Sequence, residues 1–272
     1  MIDTPDAPPP WLPLLRRLTD ASPRWAVWKN VEFALSGIGD IDSVAPVRDW
    51  PVILTEFRRW AAEHELGPVT ACYHIPIGVE IIAIPDGRTT FVELGAKARR
   101  IFRGSTLYTA SDFLPLMELD SRGFRRVRPG AEGLLKLVLG GLRRDGRPNW
   151  PAIREKKVLE LLREDPEGVR QAARLFGFAR GAALRGSDAA ARGGWDRQAM
   201  LAVQTRSLLL APLQPTVAAR RTYYQFAVKG RCPVLQVLFR SHRRIPEDRE
   251  AWLHAVAKDH VVFGRTPAQG PA

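Results

Sequence analysis

Asp40 and Asp42 are separated by one residue in GDIDSV, a segment in which polar and apolar side chains alternate. The alternation predicts a strand over residues 40–44, and on a strand residues i and i+2 share a face. Two carboxylates held that close repel, and a bound divalent cation relieves the repulsion. Mg2+ favours carboxylate oxygens together with substrate phosphates over an all-protein cage. A third carboxylate on a neighbouring strand would complete such a site. Glu93, in TTFVELGA between the apolar Val92 and Leu94, is the first choice. A carboxylate on a buried strand is costly unless it is paired or metal-bound. Glu80, on the predicted strand 79–84, is the second choice because its strand alternates less favourably.

These carboxylates need a scaffold, and the spacing of apolar residues supplies one. Residues 25–28, Trp-Ala-Val-Trp, read as a short buried strand, and Asn30 is placed to cap a helix over 31–35. Ser36-Gly37-Ile38-Gly39 breaks that helix. Ile53, Phe57, Trp60 and Ala61 recur at helical spacing, so 51–65 is predicted as an amphipathic helix closed by Gly67-Pro68. Residues 69–73, 79–84 and 89–94 read as strands, the last two joined by a turn at 85–88. Upstream, 1–13 read as a loose leader and 14–19 as a short helix.

After residue 97 the pattern predicts mostly helix, at 131–142, 151–164 and 166–177. The Gly- and Ala-rich stretch 180–197 reads as a flexible basic connection. A hairpin is expected over 222–240, a last helix over 247–258 and a disordered tail. The arginines at 122, 125, 126 and 128 read as a solvated loop. The tryptophans at 25, 28 and 60 read as core.

The 272 residues carry 41 Lys and Arg against 29 Asp and Glu, a net charge of +12. The charge is uneven: residues 1–96 are net −5 and residues 97–272 net +17. Basic surface attracts phosphate, on nucleotide or nucleic acid. No apolar run is long enough to span a bilayer, so no membrane partner is expected. The beginning, MIDTPDAPPPW, is acidic and Pro-rich rather than basic and then apolar. Cys72 and Cys232 lie far apart, which excludes a disulfide scaffold; the expected location is the cytoplasm.

The order of these features resembles the nucleotidyltransferase superfamily of the DNA polymerase beta type. A strand, a short helix with small residues, the pair Asp40 and Asp42 on a second strand and Glu93 on a later one carry the resemblance, over roughly residues 24–100. Lys29-Asn30 stands where that family carries Gly-Gly or Gly-Ser, small residues that let the backbone approach a triphosphate.

The resemblance implies an α/β (α+β) fold: a mixed-sheet nucleotidyltransferase-like core over 20–125, then a mainly helical basic region over 126–265. It implies Mg2+ or Mn2+ held by Asp40, Asp42 and Glu93. It also implies a nucleoside triphosphate as co-substrate, contacted by Lys29, Asn30, Gly39, Arg103 and Lys136. The reaction would move a nucleoside monophosphate to an acceptor hydroxyl. The basic second half favours RNA as that acceptor, tRNA included, with a toxin-like activity within the same reading. The alternatives are transfer to an antibiotic or a sugar, or an inactive relative that binds nucleotide or RNA.

Overall fold

The computed structural model describes residues 11–36, 40–74, 77–85, 92–150, 152–217, 219 and 262–263. In chain order the first elements are α1 (Trp11–Ala21), β1 (Ala26–Lys29), α2 (Val31–Leu35), β2 (Ile41–Val44), α3 (Trp50–Glu63), β3 (Leu66–His74), β4 (Gly78–Pro85) and β5 (Val92–Lys97). Then follow β6 (Arg99–Phe102), β7 (Ser105–Thr109), the short β8 (Met117–Leu119) and β9 (Arg125–Val127), and α4 (Pro129–Leu139). The remainder is α5 (Ala152–Glu164), α6 (Pro166–Ala172), α7 (Arg180–Ala191), α8 (Arg197–Leu210) and β10 (Val262–Phe263). The chain is thus mixed α and β. It divides into two compact units, Met1–Ala98 with Leu119–Arg125 and Arg221–Ala272, and Arg99–Glu118 with Arg126–Arg220.

The first unit is built on a mixed sheet in the order β10-β3-β4-β5-β2-β1. β1 and β2 are antiparallel, β2 runs parallel to β5, and β4 is antiparallel to both β3 and β5. Alternation divides the side chains of this sheet. Ile41, Val79, Ile81, Ala83, Leu94 and Ala96 share one buried cluster with Trp11, Trp50, Phe57 and Trp60 of α1 and α3. Trp11 stacks on Trp60 with ring centroids 4.8 Å apart, an offset aromatic pair that locks α1 to α3.

The helix predicted at 51–65 begins one residue early and ends at Glu63, with Ile53, Phe57, Trp60 and Ala61 on its buried face. Gly67-Pro68 does not close it; both residues lie inside β3. The expected leader is shortened, because Trp11, with 1% of its surface exposed, already belongs to α1. The indole gives α1 an apolar anchor that outweighs the proline at its third position. Pro13 sits in the first turn, where a missing N–H costs nothing.

The arginine run is no solvated loop. Arg122 forks onto the Glu32 carboxylate at 2.8 Å and reaches Asp120 at 2.7 Å, and these carboxylates hold its guanidinium charged well above the usual arginine range. Arg125 donates to the carbonyls of Thr19, Ser22 and Trp25, at 3.2, 3.0 and 3.3 Å, closing the turn between α1 and β1. In the second unit Arg128 forks onto Asp165. Arg125→Met should therefore cost about 1–2 kcal/mol, since three partly buried carbonyls lose their donor. Urea unfolding at unchanged slope would show it; a loss below ~0.3 kcal/mol would return Arg125 to the solvated class.

The second unit departs further from expectation. Residues 99–109 form the β6–β7 hairpin rather than helix, and helix begins only at Pro129. Arg103-Gly104 is its two-residue turn, both with positive φ, the twist a tight hairpin needs. The stretch expected to be flexible is α7, with Ala182, Ala183, Gly186, Ser187 and Ala190 buried. Small side chains at helical spacing are a close-packing face: a Cβ on Gly186 would strike the Met200 side chain of α8. The expected C-terminal hairpin and helix lie outside the described residues. Among the described residues no helix is long and apolar enough to cross a membrane.

Candidate functional site

Opposite the apolar cluster, the same sheet carries charge. Register places Lys29 of β1 opposite Asp42 of β2, Asp42 opposite Gly95 of β5, and Gly95 opposite Glu80 of β4. These four positions form one row across four strands. The irregularity between Val27 and Lys29 matters here. It takes Trp28 out of the alternation, leaving Lys29 on the face of Asp42 while Val27 stays in the core. Lys29 Nζ lies 2.7 Å from Asp42 Oδ2, and both side chains are mostly buried.

Gly95 has no side chain, and the Glu80 carboxylate lies over it, so that a Cβ there would collide with that carboxylate. Glu80 in turn is paired with Lys97, on the same strand and face as Gly95. Glu93 shares this face one pleat away, opposite Ile82, and is 8% exposed. Asp40 immediately precedes β2 and is half-buried; continuing the β2–β5 register sets it beside Glu93. Ser43, on the other face of β2, donates to the Gly95 carbonyl at 2.8 Å and ties the two central strands together.

The face therefore collects four carboxylates, of Asp40, Asp42, Glu80 and Glu93, against the ammonium groups of Lys29 and Lys97. A negative surplus on a partly buried surface favours a cation, and an all-oxygen donor set matches Mg2+ or Mn2+ in kind. The arrangement is a separate matter: among the described residues no three His, Cys, Asp or Glu side chains are gathered closely enough to hold a metal ion. On Asp42 the position of a cation is taken by Lys29.

Of the other predicted contacts, Asn30 follows Lys29 with φ +58, a left-handed conformation asparagine tolerates, and leads directly into α2. Gly39 lies outside the described residues. Arg103 and Lys136 belong to the second unit. There Arg103 donates to the Leu142 carbonyl at 3.3 Å, and Lys136 pairs with the buried Glu132 at 2.6 Å on α4. Lys97 and Gly95 were missed in the sequence, although the period-two alternation of Glu93, Gly95 and Lys97 within an apolar strand is the signal that marks them.

Compared with protein-family models, curated proteins and solved structures, the chain matches none.

Proposed function

We propose that the charged face of β1, β2, β5 and β4 binds a nucleoside triphosphate and that the protein transfers its nucleoside monophosphate to an acceptor hydroxyl. One observation carries the reading: β2 lies between antiparallel β1 and parallel β5, so Asp42, the adjoining Asp40 and the buried Glu93 share the face opposite the core. Asp40, Asp42 and Glu93 would hold the divalent cation, whose chemistry is to polarise a phosphoryl group and neutralise developing charge. The chain's own contributions are distinct. Lys29 sits at the end of the row, where its ammonium can turn from Asp42 to a phosphate. Glu93, mostly shielded from water, would accept a proton from an acceptor hydroxyl. RNA is the favoured acceptor, on the +17 charge of residues 97–272.

A second reading is nucleotide or RNA binding without transfer. The Lys29–Asp42 pair favours it, because an internal cation already satisfies the Asp42 carboxylate. Thermal unfolding with each nucleoside triphosphate, in Mg2+ and in excess chelator, tests the proposal. A triphosphate at about 100 times its dissociation constant adds roughly 2.7 kcal/mol. The shift is expected in Mg2+ and lost in chelator. A shift of equal size in chelator would favour the binding-only reading, and no shift with any triphosphate would remove both.

A further inference from the structure

The second unit contains a cavity of about 580 Å³ whose wall includes Arg206, Arg174, Gln171, Leu175, Tyr108 and Leu116. Arg206, on α8, is 8% exposed. Its only hydrogen bond among the described residues runs from Nη2 to the Leu175 carbonyl at a long 3.3 Å. Nε and Nη1 are sealed from solvent with no acceptor, and no carboxylate among the described residues pairs with this guanidinium. Burial alone depresses its pKa, with no acidic neighbour opposing the shift. Arg122 and Arg128, by contrast, meet carboxylates, and Arg125 meets three carbonyls. A buried charge without a partner costs several kcal/mol, so a cation placed this way has its anion elsewhere.

The rest of the wall says what kind of anion fits. Arg174 is exposed on the same wall and adds a second positive charge, while the one carboxylate of the lining, Asp112, accepts from the N–H and hydroxyl of Thr109. Gln171 commits its amide nitrogen to Glu167 at 3.1 Å, which fixes the amide orientation and leaves a buried Oε1 without a donor. Tyr108 and Leu116, both at most 2% exposed, supply apolar surface. Such a volume, lined by polar and apolar groups alike, is within the range of a small-molecule site.

We propose that this cavity binds a small organic oxyanion, a carboxylate or phosphate on a hydroxyl-bearing body. The oxyanion takes the Arg206 fork once the guanidinium turns from the Leu175 carbonyl into the cavity, while the hydroxyl donates to Gln171. A guanidinium presents parallel N–H groups that match two oxygens of either oxyanion. The site lies wholly within the second unit and does not depend on the nucleotide reading.

The probes are 4-hydroxybenzoate for a carboxylate, ribose 5-phosphate for a phosphate ester and inorganic phosphate for the bare ion, each against sodium chloride at equal ionic strength. Thermal unfolding of the full chain is expected to rise by roughly 3–5 °C with one organic probe at ten times its dissociation constant. Which probe acts names the source of the oxyanion. In Arg206→Met the response is lost, and the variant without ligand melts no lower than the wild type because an uncompensated buried charge has been removed. Asp42→Ala keeps the full response. The proposal is overturned if no organic probe acts beyond chloride, if inorganic phosphate acts as strongly as both, or if Arg206→Met responds like the wild type. Should Arg206→Met not fold, Arg206→Lys keeps the charge and loses the fork, and an undiminished response in it overturns the proposal equally.

Discussion

Asp42→Ala is expected to remove nucleotidyl transfer, lowering kcat by at least about 10³-fold, while the first unit stays folded. The magnitude follows from what a carboxylate-held cation contributes to phosphoryl chemistry, several kcal/mol of charge stabilisation at the reacting phosphate. Retention of the fold follows from the rest of β2. Ile41 and Val44 are fully buried, and Ser43 bonds to Gly95 across the strand pair. The ion pair that Asp42 makes with Lys29 is mostly buried, but the ammonium keeps some contact with solvent, so its loss costs about 1–3 kcal/mol. Asp42→Asn sharpens the test, because it keeps the size of the side chain and loses only the charge. Lys29→Ala in parallel is expected to lower triphosphate affinity with the carboxylates intact. Near-UV circular dichroism reports the tryptophan-rich core, and labelled-nucleotide transfer reports activity. A folded Asp42→Ala protein with undiminished Mg2+-dependent transfer would remove Asp42 from the site.

The strands that position the candidate site were legible because each has one clear face. The strands expected at 25–28, 40–44 and 89–94 are β1, β2 and β5, each displaced by no more than three residues. The pairing of Lys29 with Asp42 was not legible, because it depends on an irregularity in β1 that exchanges the faces of successive residues. A one-residue slip changes every side chain's face, and no local pattern announces it.

Misreading of the second half has a different cause. In α7 the buried residues are alanine, glycine and serine. Composition marks such a stretch as a linker, whereas close helix packing marks it as core. The β6–β7 hairpin was obscured because Arg103, unlike asparagine or glycine, does not advertise the positive φ that its turn requires. Arg206 carried no signal at all: in a chain with 34 arginines, only burial distinguishes one.

That same abundance of arginine makes the acidic residues the scarce structural partners, and Asp165 shows the consequence. Its carboxylate accepts from Arg128 Nε and Nη2 at 3.1 and 2.6 Å, and from the backbone N–H groups of Gly130 and Gly168 at 3.2 and 2.9 Å. It thereby caps α6 and meets the first turn of α4. Gly130 is required at that junction, since a Cβ there would overlap the Asp165 carbonyl. Burial pushes the Asp165 carboxyl up, but Arg128 and the two N–H groups outweigh it and hold the group below its ordinary value of 3.8. A carboxyl whose folded value lies below its unfolded one stabilises the fold above the unfolded value. That stabilisation is lost as pH falls through the folded one. Asp165→Ala is accordingly expected to cost about 3 kcal/mol at pH 7, from the lost cap and the charge-assisted bonds to Arg128. The deficit relative to wild type should hold steady from about pH 5 to 8 and shrink as pH falls below about 4, past the unfolded value and towards the lower folded one. Urea unfolding of both proteins across that range measures it. A deficit that stayed constant down to pH 3 would mean that Asp165 acts through shape, with its charge contributing nothing.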